Sequence, residues 1–92
     1  MNSDAVRVLA KVAPLKFSME AALKRDKVSE VPKTHRKKMK ELIGELRKLE
    51  TAAQDTVSNQ KVLKVEMDEV PKTCKGAQSH FSMFSGILNS LG

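Results

Sequence analysis

The strongest constraint on the fold of this chain is an apolar spacing of alternately three and four residues, which occurs three times. Because an α-helix has about 3.6 residues per turn, such spacing places side chains on one stripe of a helix. The stripe residues are Ala5, Val8, Val12, Leu15, Met19 and Ala22, then Met39, Leu42, Leu46, Leu49, Ala53 and Thr56, and finally Ala77, Phe81, Phe84, Leu88 and Leu91. Stripes that must be buried against one another predict an all-α protein, a small antiparallel bundle of three to four helices.

The expected architecture is one helical domain over residues 1–92. Pro14 lies inside the first stripe, and it should kink or break that helix because it lacks an N–H group and crowds a carbonyl one turn earlier. The middle of the second stripe should form the centre of the core, at Leu42, Leu46 and Leu49. The expected helical spans are 4–26, 32–57, 60–69 and 72–91.

The pentapeptide EVPKT occurs twice, at residues 30–34 and 69–73. Proline suits the first position of a helix, where no N–H is needed, and it favours an extended conformation in the residue before it. We therefore expect Pro32 and Pro71 to be the first residues of two helices, each preceded by an extended valine.

The stretch KVLKVEMDEV, residues 61–70, fits two patterns. Leu63, Val65 and Met67 alternate with charged residues as in a half-buried strand, whereas Leu63, Met67 and Val70 fit one face of a helix. A lone strand would lack a hydrogen-bonding partner, so we expect a short helix here. Pairing of two such strands across a dimer is the alternative.

Composition disfavours several classes of protein. One cysteine cannot form an internal disulfide, and the chain has neither the start of a signal peptide nor about 18 consecutive apolar residues. We therefore expect an intracellular, reducing compartment (cytoplasmic or nuclear) and no membrane-spanning segment.

No pattern of catalytic or metal-binding residues is apparent. Cys74 and His80 are six residues apart and would lie on different faces of a helix, and His35 has no partner at a recognisable spacing. We expect neither an enzyme nor a bound cofactor or metal.

A dense basic run marks the second predicted helix. Residues 33–48 contain seven lysine or arginine residues and two glutamates. A helical projection places six of the basic residues opposite the apolar stripe: Lys33, Arg36, Lys37, Lys40, Arg47 and Lys48. Such a face can bind nucleic-acid phosphates, an acidic protein or an anionic bilayer, or it can simply be solvated. No aromatic residue lies among the basic ones, which disfavours stacking on single strands.

The last seventeen residues, 76–92, contain no aspartate, glutamate, lysine or arginine. An amphipathic helix of this kind usually closes its own bundle. It can also dock into a partner or pair with a second copy of the chain. The candidate interface residues for either arrangement are Phe81, Phe84, Leu88 and Leu91.

These features favour a non-enzymatic helical interaction or regulatory module that binds a macromolecular partner, most simply a protein, through its helix faces. The alternative is a nucleic-acid-binding protein that uses the basic face of the helix predicted at 32–57. A homodimer is compatible with either interpretation, and a membrane partner is disfavoured because the polar face of the last helix lacks lysine and arginine.

Overall fold

A computed structural model describes residues 2–92 and is all-helical over that range. Three α-helices pack together, namely α1 (Asn2–Ala22), α2 (Lys33–Asn59) and α3 (Glu69–Leu91). A short 3₁₀-helix, Val28–Glu30, lies between α1 and α2. The predicted fold class is confirmed, with three α-helices in the described chain. None of these helices is long and apolar enough to cross a bilayer.

α1 and α2 are antiparallel neighbours. The ammonium group of Lys16 lies 2.6 Å from a carboxylate oxygen of Glu50, and the guanidinium of Arg47 lies 2.8 Å from a carboxylate oxygen of Glu20. The later residue of α1 thus pairs with the earlier residue of α2, which requires opposite helix directions.

α3 runs in the same direction as α1. Near their N-terminal ends, Val8 of α1 and Val70 of α3 line one groove. Beyond the C-terminal end of α1, the Arg25 guanidinium donates a 3.1 Å hydrogen bond to the side-chain oxygen of Asn89 in α3. The result is an up-down-up bundle with dimensions of 45 × 22 × 17 Å.

The core is aliphatic, as the scarcity of aromatic residues requires. Its fully or almost fully buried residues come from the three α-helices and from the loop before α2: Ala5, Val8, Val12, Met19, Ala22, Val31, Met39, Leu42, Ile43, Leu46, Ala53, Val70, Ala77, Phe84 and Leu88. Leu42 and Leu46 are buried as expected, whereas Leu49 is only half-buried. Thr56, the one buried polar side chain within the described part of the chain, donates a 3.2 Å hydrogen bond to the carbonyl of Ala52, so its hydroxyl group is not left unpaired.

Pro14 does not divide α1, which is continuous from Asn2 to Ala22. The expected break is therefore wrong, while a bend of the helix axis at this point stays a prediction. Pro14 lies on the exposed side of the helix, and the buried residues Val12 and Met19 on either side of it belong to the same core. Burial of both halves against the bundle offsets the loss of one helical hydrogen bond.

The expected short helix at 60–69 is absent, and this prediction is wrong. α2 ends at Asn59, Gln60 adopts a left-handed conformation with φ of 53°, and the chain has no regular structure up to Glu66. Within this segment exposed residues alternate with the half-buried Leu63, Val65 and Met67. The alternation is that of an extended chain lying on the bundle, without a ladder partner within residues 2–92.

The two EVPKT copies adopt different positions relative to their helices. Val31 is extended, with φ of −72° and ψ of 139°, and α2 begins one residue after Pro32. In the second copy α3 already begins at Glu69, so Pro71 is its third residue and Val70 is helical rather than extended. The N–H groups of a first helical turn have no partner within the helix, so proline is tolerated at this third position too. Burial of Val70, which is 3% exposed, favours the helical conformation there.

Candidate interaction surface on the second helix

α2 presents its core residues on one side and a row of basic residues on the other. We call this row the cationic strip, and it comprises Lys33, Arg36, Lys37, Lys40, Arg47 and Lys48. All six lie on the one continuous helix Lys33–Asn59, as the sequence predicts. From Lys33 to Lys48 the strip extends over about 22 Å, at 1.5 Å of rise per residue.

Four lysines of the strip carry uncompensated charge. Lys33, Lys37, Lys40 and Lys48 are exposed, and within residues 2–92 no carboxylate lies within 4.0 Å of their ammonium groups. The first turn of α2 contains no acidic residue, so the positive end of the helix dipole is not neutralised there either. An external anion can therefore approach these lysines without displacing an internal ion pair.

The two arginines of the strip are engaged inside the chain. The Nε of Arg36 donates a 3.0 Å hydrogen bond to the carbonyl of Val31, which ties the loop before α2 to its first turn. Arg47 pairs with Glu20 at 2.8 Å, although 58% of the Arg47 side chain stays exposed. Both therefore stabilise the fold, and Arg47 also keeps part of its guanidinium open to solvent.

A groove between α1 and α2 continues the strip sideways. This α1–α2 groove is lined by Glu20, Leu23, Lys24, Lys40, Ile43 and Arg47. The hydrogen bond from Arg47 lowers the pKa of the Glu20 carboxyl below its ordinary value, and the charges of Lys16 and Lys24 lower that pKa further against the opposing effect of partial desolvation. Glu20 is therefore ionised at neutral pH. The positive charges of Arg47, Lys16 and Lys24 lie around its carboxylate.

The structure places the predicted interface residues of α3 at two different depths. Phe84 is fully buried and Leu88 is 2% exposed, so both contact the core of their own chain. Phe81 and Leu91 are half-buried at its margin. A partner that docks on the folded bundle can therefore reach Phe81 and Leu91 but not Phe84 or Leu88.

Sequence reasoning missed the most exposed aromatic residue. Phe17 is 72% exposed and lines an open groove between α1 and α3 together with Ala21, Phe81 and Ser85. Its position between the stripe residues of α1 was the available signal, since a large apolar residue off the stripe must face solvent or a partner.

The two histidines lie at a contact between α2 and α3, and the cysteine is half-buried in α3. The His80 Nε2 lies 3.1 Å from the His35 carbonyl, and the two rings are 5.9 Å apart, which joins α3 to the first turn of α2. Burial raises the pKa of the Cys74 thiol, partly opposed by the charge of Lys11, and so disfavours the reactive thiolate. Over residues 2–92 no three histidine, cysteine or acidic side chains are grouped as metal ligands.

Comparison of the chain with protein families, with curated proteins and with solved structures gives no match. A functional proposal therefore rests on the surface of the molecule itself, and the cationic strip is its most strongly charged feature.

Proposed function

We propose that this chain is a non-enzymatic interaction module, located in a reducing intracellular compartment, whose cationic strip binds an acidic surface of a protein partner. The observation that supports this most directly is the set of four exposed lysines that have no carboxylate within 4.0 Å in residues 2–92, Lys33, Lys37, Lys40 and Lys48. Unpaired surface charge of one sign accelerates association with an opposite surface and orients the encounter.

The spacing of these lysines suits an acidic helix or an acidic loop. Lys33, Lys37 and Lys40 are four and three residues apart, so their Cβ atoms are about 5–6 Å from one another along the helix. Carboxylates on a partner helix have the same repeat. The flexible ammonium groups can adjust to such a row without fixed geometry, because each is a point charge on a long stem.

A nucleic-acid duplex is the second candidate partner. The lysine row and the unneutralised start of α2 would also neutralise phosphates, which needs no base recognition. The strip contains no aromatic residue on which an unpaired base could stack, so this alternative concerns duplex DNA or RNA rather than single strands.

The test is a binding titration with two probes, a poly-glutamate peptide and a random-sequence duplex, each at several salt concentrations. The variant reverses two strip charges, Lys37→Glu and Lys40→Glu, and leaves Arg36 unchanged because its bond to Val31 stabilises the fold. The matched control, Lys64→Glu with Lys75→Glu, makes the same net charge change at two exposed positions outside α2 that have no carboxylate within 4.0 Å in residues 2–92.

We expect the strip variant to weaken binding at least tenfold and to lower the salt dependence, by about one unit of slope per lost contact for the duplex, while the control changes both much less. Preference for poly-glutamate supports the protein partner, and preference for the duplex supports the alternative. Absence of binding to both probes at low salt would contradict both proposals.

A further inference from the structure

The α1–α2 groove differs from the rest of the cationic strip in having an apolar floor. Ile43 is 4% exposed and Leu23 is half-buried, and both line the groove beside three cations. The groove is an open surface depression of about 470 Å³. It is thus a concave site with both charge and apolar surface, whereas the outer face of the strip is only charged.

The charges around the groove are unequal. Lys24, Lys40 and Arg47 contribute three positive charges and Glu20 one negative charge, which leaves a local balance of two positive charges. Arg47 holds the Glu20 carboxylate at 2.8 Å, and the ammonium group of Lys16 lies 3.8 Å from it. Glu20 is already paired, and within residues 2–92 no carboxylate lies within 4.0 Å of the Lys24 or Lys40 ammonium group, so both can receive an external anion.

We propose that the α1–α2 groove is a specificity subsite for an acidic segment of the protein partner, in which a carboxylate side chain contacts Lys24 and Lys40 while an adjacent aliphatic side chain covers the exposed part of Leu23, beside the buried Ile43. The inference rests on the proposed function, since Lys40 and Arg47 belong to the cationic strip as well. It adds a chemical requirement that charge alone does not impose: the partner carries an apolar residue next to its acidic one.

Both halves of this contact are needed for selectivity. An exposed ion pair contributes little and is screened by salt. Burial of an aliphatic side chain on the groove floor is insensitive to salt and excludes water from the neighbouring charges, which strengthens their attraction. A purely acidic polymer gains only the first contribution, and a purely apolar peptide only the second.

Three peptides of equal net charge test the proposal at neutral pH. In the first peptide each leucine lies one helical turn from a glutamate. The second peptide has serine in place of each leucine, and the third is poly-glutamate. We expect the leucine peptide to bind about tenfold more tightly than the other two, and to keep a larger share of its affinity at physiological salt.

The protein variant for this test is Lys24→Gln, because Lys24 lines the groove but lies outside the strip. It should weaken poly-glutamate and serine-peptide binding only by the loss of one exposed ion pair, and leucine-peptide binding several-fold more, so that the preference for the leucine peptide falls. The control is Lys75→Gln, which removes the same charge from an exposed position of α3. Far-ultraviolet circular dichroism of both variants checks that the bundle stays folded.

The outcomes separate the two proposals. Equal affinity for the leucine and serine peptides, or an unchanged preference in Lys24→Gln, overturns the groove subsite while leaving the strip as an acidic-partner surface. A third outcome combines two results: the wild type shows no preference for the leucine peptide, and the strip variant binds none of the acidic peptides. That outcome identifies the strip alone as the binding surface. Failure of every peptide to bind at low salt overturns both.

Discussion

Replacing Leu46 by alanine tests whether the middle of α2 is the centre of the core. Leu46 is completely buried, and the substitution removes about three methylene equivalents at about 0.8 kcal/mol each, or roughly 2.4 kcal/mol of transfer free energy. Incomplete collapse around the vacated volume adds to this, so the free energy of unfolding should fall by about 2.5–4 kcal/mol.

The matched control is Leu49→Ala, one turn further along the same helix. Leu49 is half-buried, so the same chemical change should cost only about 1–2 kcal/mol. Both substitutions have the same effect on intrinsic helix propensity, so their difference isolates burial.

Urea denaturation followed by far-ultraviolet circular dichroism gives both values. A chain of 92 residues has an expected stability of roughly 5–14 kcal/mol, so both variants should still show a folded baseline. Equal losses in the two variants, or a larger loss for Leu49→Ala, would refute the assignment of Leu46 to the centre of the core.

Two further perturbations concern α1. Pro14→Ala should raise the free energy of unfolding by about 1–3 kcal/mol, because the exposed proline removes one helical hydrogen bond from a continuous helix; an unchanged or lower denaturation midpoint would contradict this. Glu20→Gln should be less stable than the wild type at neutral pH, because the pKa of Glu20 is lowered in the folded chain and its charged form is therefore stabilising. That difference is fully present above the unfolded pKa of about 4.3 and should vanish as the pH falls through the lower folded value, which thermal melts across an acidic pH series would detect.

Helix existence could be predicted from sequence because each helix buries a single stripe. Positions such as Val12, Leu46 and Phe84 recur at the helical period, and the same residues are buried in the bundle. The spacing of apolar residues is therefore sufficient to predict a helix wherever only one face of the segment is buried.

The segment after α2 could not be decided in this way, because its residues satisfy two periods. Leu63 and Met67 belong both to an alternating pattern and to a helical one. The outcome depends on Gln60, whose left-handed conformation ends α2 and directs the chain along the bundle. Since that conformation is unusual for a residue other than glycine, the sequence contains little sign of it.

The candidate surface was predicted only in part, because some of its residues become neighbours only through the packing of two helices. The positions of Lys33, Lys37 and Lys40 follow from the helix alone. The engagement of Arg47 depends on Glu20, which is distant in sequence and becomes a neighbour only when α1 packs against α2. Lys24 was missed for the same reason. It lies outside the strip and becomes its neighbour, in the α1–α2 groove, only when α1 packs against α2.

The bond between Arg25 and Asn89 has a consequence for the order in which the chain folds. It joins residues separated by 64 positions, and the Lys27 ammonium donates to the Leu91 carbonyl across the same separation. Contacts between α1 and α2 close shorter loops of the chain. Arg47 and Glu20 are separated by 27 positions. Closing the longer loop costs more chain entropy, so the contacts between α1 and α3 should form after those between α1 and α2. We therefore expect the α1–α2 hairpin to form first and α3 to dock last, so that amide hydrogens of α3 exchange with solvent at a lower free energy than those of α2.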